Sequence, residues 1–412
     1  MSVRQPSDWA TKKLEDVCSQ ITDGKHGDCQ DEPDSGFYFL SCKDVANGKL
    51  NYAGARQITE ADFHDTHRRT KLEPSDILIT NSGTIGRMAL APDNDLTRRT
   101  TFQKSVAILK PIASRIAPSF LYYGIQADIR RLIEFGSGTA QKNLLLRDLR
   151  SFEVKVPPFP IQRRIAGILS AYDELIENSQ RRIKILESMA RALYREWFVH
   201  FRFPGHESVP RAPSPLGEIP QGWEVKKLGD LCELRKDPYR ESDNPGLPLL
   251  DMARMPSRTL APSETGTPSE LTTSRILFQK GDTLFGAIRC YLHKVVAAHY
   301  PGVTNTSVLV LRPRSPAFRA LVSIVASDIE TIRWAETQST GTKMPVINWG
   351  VFQGMPAPIP TKALAQKFED IAGPMLDEIG ILATQIQNLR RTRDLLLPRL
   401  LSGQIDVEAM PS

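Results

Sequence analysis

The residues that could do chemistry in this chain come in short, incomplete strings. Phe135-Gly136-Ser137-Gly138 approaches a glycine loop that cradles adenosylmethionine. It lacks the Phe-x-Gly-x-Gly spacing and follows a predicted helix rather than a strand. Asp237-Pro238-Tyr239 and Pro157-Pro158-Phe159 approach the (Asp/Asn)-Pro-Pro-(Tyr/Phe) signature that holds an amine for methyl transfer. The first lacks the doubled proline and the second lacks the acid or amide. His26 and Cys29 stand three apart, as do His64 and His67. A structural zinc site takes four ligands, usually with close cysteine pairs, so a metal is not expected. No Gly-x-x-x-x-Gly-Lys-(Ser/Thr) loop is present, which excludes a phosphate-binding loop of the NTPase kind. Gly83-Thr84-Ile85-Gly86 is a glycine turn between strands, able to offer backbone amides to a phosphate or simply to close a hairpin.

The elements that would position such residues occur twice. Trp9, Lys12, Lys13, Leu14, Asp16 and Cys18 return 214 residues later as Trp223, Lys226, Lys227, Leu228, Asp230 and Cys232. Asp76 and Leu78 answer to Asp282 and Leu284. Ser105, Lys110 and Pro111 answer to Ser307, Arg312 and Pro313, and Gly138-Thr139 to Gly341-Thr342. A repeat of half the chain is a duplicated domain rather than a solenoid unit. The Gly-Thr step and the proline cluster recur at the same joints, which reads as scaffold rather than catalysis. Candidate strands in the first copy are 76–80, 86–91, 104–110 and 152–156, with a helix over 118–134.

Each copy ends in a long amphipathic helix. Ile161, Ile165, Ile168, Tyr172, Ile176, Ser179, Ile183, Leu186, Ala190, Leu193 and Trp197 make a seam with steps of four and three. Adding 203 gives Leu364, Phe368, Ile371, Met375, Ile379, Leu382, Ile386, Leu389, Arg393, Leu396 and Leu400. These are coiled-coil seams, and both carry two successive fours at the same place, which locally unwinds a supercoil. The matched seams predict an antiparallel pair, with Trp197 near Leu364. Pro157, Pro158 and Pro160 should hold back the first helix until Ile161, and Pro398 should bend or end the second.

The boundaries read as a first domain over 1–159 and a helix over 160–201. A semi-rigid proline-rich linker follows over 202–222. A second domain spans 223–360, a second helix 361–403 and a tail 404–412. The fold class is mixed α/β: two duplicated domains and two long antiparallel helices, with a pseudo-two-fold relation. No apolar run is long enough to span a membrane. The start lacks the apolar core of a secretory signal. Five cysteines, an odd number unevenly split between the copies, argue against a disulfide framework and for a reducing cytoplasm. A net charge of +6 permits nucleic-acid binding without requiring it. Clustering is more informative: Arg68 and Arg69, then Arg87, Arg98 and Arg99 in the first copy, with Lys25 and Asn81 beside them. Arg254, Arg258, Arg275, Arg289 and Lys294 occupy the comparable stretch of the second. Any one of these is as readily a solvated surface charge.

Together, "DILITNSGTIGRMAL" (76–90), "GSGTAQKNLLLRDL" (136–149), "RRIAGILSAYDELIE" (163–177), "RALYREWFV" (191–199), "LGEIPQGWEVKKLGDL" (216–231) and "RDLLLPRLLSG" (393–403) resemble the specificity subunit of type I DNA restriction-modification systems. The resemblance covers essentially the whole chain. It implies two domains that each read one half of a split double-stranded DNA target. It implies helices that space them and dock methyltransferase subunits, two of them, alongside restriction subunits. Catalysis and S-adenosylmethionine would then belong to those partners, and this chain would hold no cofactor. The second copy departs from the pattern after Asp282, where "TLFGAIRCYLHKVV" has no Ser-Gly-Thr-Ile-Gly turn. Two other readings remain open on the residues alone: a self-contained methyltransferase or nuclease, and a coiled-coil adaptor that reads no DNA.

Overall fold

The computed structural model describes residues 9–135, 143–215 and 217–408. The Gly138-Thr139 step and the first half of the 136–149 string, residues 136–142, lie outside the described residues. By contacts the chain divides into two units, residues 1–174 with 391–412 and residues 175–390. The division cuts across the sequence-derived boundaries because each long helix gives one part of its length to each unit.

The first unit is built on a four-stranded antiparallel sheet in the order Cys18–Asp23, Val106–Pro111, Ile77–Thr80, Met88–Leu90. Val106–Pro111 is buried along its first five residues, as a central strand covered on both faces must be. Helix Glu60–Thr70 lies against this framework, started by the Thr59 side chain accepting the Asp62 N–H. The helix predicted over 118–134 is two helices, Pro118–Ala127 and Ile129–Phe135, broken at Asp128. Pro118 opens the first of them, where its missing N–H costs nothing.

The second unit repeats the plan: Cys232–Arg235, Val308–Pro313, Thr283–Gly286, Val295–Ala297. Helices Arg319–Ala326 and Ile329–Thr337 follow. The register also repeats, with Leu78 opposite Ile108 in one copy and Leu284 opposite Val310 in the other.

The repeated letters prove to be structural. Lys12 and Lys13 belong to an edge strand, Ala10–Lys13, paired with Glu153–Val156; Lys226 and Lys227 do the same against Pro356–Ile359. Asp16 and Asp230 accept the N–H of Lys13 and Lys227, and Leu14 and Leu228 are fully buried. Asp76 and Asp282 hold the repeated cations, at 2.6 Å to Lys110 and 2.8 Å to Arg312. Where the copies diverge is beside the sheet. The short pair Tyr38–Leu40 and Thr100–Phe102 is parallel, whereas Arg275–Phe278 and Gly302–Asn305 are antiparallel.

The first long helix is Phe159–Tyr194, followed by a wider turn over Arg195–Val199. It starts two residues before the expected Ile161, because a first-turn proline gives up only an N–H that no helical carbonyl awaits. The second is Lys362–Leu401. Pro374 and Pro398 both lie inside it, so Pro398 does not end it; the helix stops at Gly403, which has a left-handed φ of 71°.

In the first unit Ile165 and Leu169 share a core with Leu400, while Ile168 and Tyr172 are half-buried. Asp173 meets Arg393 at 2.5 Å and accepts the Tyr123 hydroxyl at 2.6 Å. In the second unit Ile176 and Ile183 are buried with Phe368, Ile379 and Ile386; Leu186, Met375 and Leu389 are half-buried against them. The Arg182–Glu378 pair at 2.6 Å and the Trp197–Phe368 ring contact at 5.9 Å show that the helices run antiparallel there.

Ile371 departs from the expected seam at 42% exposure. Ala372 and Leu376 are buried in its place. The cause is the globular domain, whose Arg319 grips Glu369 and Asp377, each at 2.8 Å. The helix packs on two surfaces, and its buried stripe widens away from Ile371.

The proline-rich stretch is a folded part of the second unit rather than a free linker. Arg211–Ser214 pairs with Gly217–Pro220, and Trp223 packs on Phe198, Phe201 and Phe203.

Candidate nucleic-acid interface

Four loops meet at one end of the first sheet. Lys25 donates its backbone N–H to Phe102 O at 2.8 Å, and Lys104 donates to Lys25 O at 3.1 Å. Cys42 N–H reaches the Ser105 hydroxyl at 3.1 Å, and Asn81 N–H reaches Ser105 O at 3.0 Å. The approach is close enough to require glycine. A Cβ on Gly24 would lie 1.9 Å from Phe102 O, and one on Gly86 2.7 Å from Ile133 Cδ1, where Gly86 also has a φ of 87°. The Gly83–Gly86 turn thus rests on helix Ile129–Phe135 and presents its other side outward.

Of the sequence-derived candidates, Lys25, Asn81 and Arg87 come to this end. Arg87 is exposed and has no ion pair among the described residues. Asn81 is buried, and its side-chain oxygen has no hydrogen-bond partner. Lys25 bonds to Asp62 at 2.9 Å, which raises its ammonium above the ordinary lysine range; Asp62 is held low by the Gln30 N–H and then by Lys25. Arg69 sits further along, on Asp23 at 2.5 Å. Arg68 pairs with Asp65 at 2.5 Å and Arg98 with Asp93 at 2.7 Å. Arg98 and Arg99 stand at the opposite end of the Thr100–Phe102 strand, so the structure does not gather all five arginines. Lys43, Gln103 and Lys104 join the loop end without having been singled out from sequence. Lys43 and Lys104 are exposed, with no ion pair among the described residues. Their only signal is tertiary, the bridge between Lys25 and Gln103.

The second copy builds the same end from different residues. Ala287 N–H donates to Ser307 O at 2.9 Å, as Asn81 does to Ser105 O. Ile347 N–H donates to Ala287 O as Leu144 N–H donates to Asn81 O. Gly286 N–H donates to Lys294 O where Thr80 N–H donates to Arg87 O. Ala287 therefore occupies the place of Asn81, and Lys294 that of Arg87. The connecting loop is one residue longer and uses Arg289 and His293, at φ values of 52°, where the first copy has glycines. Arg289 has its Nε buried without a partner; Lys294 donates to Met252 O at 2.6 Å. Arg258 donates its N–H to His293 O at 2.8 Å, and Arg275 pairs with Asn305 at the same end. Arg254 is tied to Asp251 at 3.2 Å and to Glu270.

Gly136-Ser137-Gly138 lies outside the described residues, and neither proline-containing string assembles a site among the described residues. Asp237 pairs with Arg235 at 2.9 Å. Pro157 and Pro158 supply carbonyls to the start of the long helix. His26 lies on Asp23 and His64 on Glu60. Among the described residues no group of three His, Cys, Asp or Glu side chains converges as metal ligands would. The five cysteines are free. No described helix is long and apolar enough to cross a membrane.

Residues 6–188 match the family model described as the type I restriction modification DNA specificity domain. The specificity subunit of the type I restriction enzyme MjaIX of Methanocaldococcus jannaschii is 26% identical over 428 residues, covering 98% of this chain and 95% of the relative. By these matches the chain is similar to type I DNA specificity subunits along nearly its whole length. The HindI specificity subunit of Haemophilus influenzae is 21% identical, over 97% of this chain and all of the relative. The crystal structure of the type I restriction-modification S subunit from M. genitalium covers 97% of this chain and 98% of its own, at 15% identity and a TM-score of 0.61, which shows the shared fold. A specificity subunit is non-catalytic, in agreement with the family of DNA specificity domains that the chain matches.

Proposed function

We propose that the chain reads a bipartite, asymmetric duplex, each domain reading one half-site through its loop end. The observation that carries this reading is the pair of loop ends: the same backbone hydrogen bonds, with Asn81, Gly83 and Arg87 in one copy and Ala287, Arg289 and Lys294 in the other. A shared frame with unlike side chains is what two readers of unlike sequences need. Base edges are read by donors and acceptors in the major groove, and phosphate contacts fix the register. In this reading the two long helices set the gap between half-sites and dock methyltransferase subunits, which carry S-adenosylmethionine and the chemistry, with restriction subunits added to them in the cytoplasm. The candidate readers in the first domain are Lys25, Asn81 and Arg87, with Lys43 and Lys104; in the second they are Arg275, Arg289 and Lys294. Selection of bound duplexes from a randomised pool tests this. Two unlike words at one fixed gap support it; a single continuous word, or half-sites at many gaps, contradicts it.

A further inference from the structure

A second basic feature lies in the second unit, apart from the loop end. A groove of 590 Å³ runs along the end of the first long helix and the wider turn after it, and Arg258 lines it from outside that helix. Lys184, Arg191 and Arg195 project into it with steps of seven and four, one face of a helix. The two acids that line it are already engaged. Glu187 accepts the Thr259 hydroxyl at 2.5 Å and the Leu260 N–H at 2.6 Å, and Glu196 accepts two bonds from Arg202, each 2.7 Å. The cations are not. Arg191 comes no closer than 4.0 Å to Glu187, and its Nε and Nη2 are buried without an acceptor. Lys184, Arg195 and Arg258 are exposed and form no ion pair among the described residues.

We infer that Lys184, Arg191, Arg195 and Arg258 grip the phosphate backbone of double-stranded DNA without reading its sequence. This rests on the DNA-reading function proposed above. Three observations favour a nucleic-acid backbone over an acidic protein surface. The groove is continuous with the second reading loop through the Arg258 N–H bonded to His293 O. The free groups are all cationic donors set along one helix face, as contacts to successive phosphate oxygens require. Lys184 to Arg195 spans about 16 Å of helix at 1.5 Å per residue, the axial reach of about five phosphates of one strand. A sequence-blind contact beside one reader would hold the duplex in register while the loops test its bases.

The test uses the full chain and two duplexes, a random sequence and one carrying the selected target, with affinity measured across a salt series. Lys184 and Arg195 are exposed, so Lys184→Ala with Arg195→Ala should keep the wild-type melting temperature. Each lost phosphate contact lowers the slope of log affinity against log salt by about 0.9, so the double variant should lose about 2 units of slope. The loss should be equal on both duplexes, leaving the target-to-random ratio unchanged, and Arg195→Lys should keep the wild-type slope. If the wild type shows steep salt dependence and the double variant matches it, the groove holds no phosphate and the inference falls. An unchanged slope with weakened capture of a partner subunit overturns it too, and assigns the groove to an acidic protein face. A wild type that binds neither duplex refutes the DNA-reading function itself.

Discussion

Removing the Asp282 carboxylate should destabilise the second unit by about 3 kcal/mol without changing which DNA is read. Asp282 is 2% exposed and accepts both arms of the Arg312 guanidinium at 2.8 Å, together with the Gln279 N–H at 2.7 Å. Among the described residues, Asp282→Ala leaves the guanidinium with only Asp237, at 3.8 Å, and the Gln279 N–H unpaired. Breaking a buried pair from one side costs about 3–5 kcal/mol, and the 22% exposure of Arg312 places this case at the low end. For a unit of this size each kcal/mol moves the melting temperature by about 2–4 °C, so calorimetry should show a drop of about 6–12 °C. Replacing both partners, Asp282→Leu with Arg312→Met, should recover most of the loss, because neither charge is then left buried. The target-to-random binding ratio of Asp282→Ala, measured below its melting point, should equal that of the wild type. A loss under about 1 kcal/mol, or a changed ratio in folded protein, would refute the claim that charges shared by the two copies are scaffold. Asp76 and Lys110 give the same test in the first unit, where burial raises the Asp76 carboxyl even beside its lysine.

Arg87→Ala and Lys104→Ala should leave stability within about 0.5 kcal/mol, since both side chains are exposed and unpaired, yet cost about 1–3 kcal/mol in target binding where they meet a base. Parallel melting and anisotropy titrations check both halves of that statement. Ile379→Asp should unfold the helix pair of the second unit, whereas Ile371→Asp should be tolerated, because only the first is buried; circular dichroism melts distinguish them. Burial holds the His293 and His299 imidazoles below the ordinary histidine range, with Ser327 O accepting from His293 Nε2 at 2.8 Å. The unfolded chain then binds more protons below about pH 6.5, so stability is full above that pH and falls beneath it. Urea midpoints at successive pH values should show this fall, and His293→Gln should flatten it.

Much of the architecture is legible in the sequence because it is written twice. The Trp-x-x-Lys-Lys-Leu-x-Asp string marks an edge strand, a capped turn and a buried leucine, each set by local chemistry. The helix seams are legible from spacing, except at Ile371, where packing by Arg319 and its neighbours moves the buried face. The folded hairpin at 211–220 is hidden by its prolines, whose composition reads as a spacer until Trp223 and three phenylalanines pin it down. The loop end is the least legible part. Gln103 and Lys104 lie far from Lys25 in sequence and become its neighbours only through the Lys25–Gln103 bridge, while Lys43 joins them through the Cys42 N–H on Ser105. Arg98 and Arg99 look like readers by charge, but strand direction carries them to the other end. No local pattern encodes either outcome.

The most direct test of the account is to change one reader and sequence the modified bases produced by the assembled complex. Arg87→Ala with Lys104→Ala alters the loop end of the first domain alone. The account requires that one half of the recognised sequence relax while the other half and the gap stay fixed. Relaxation of both halves together, or an unchanged motif at wild-type activity, would contradict it.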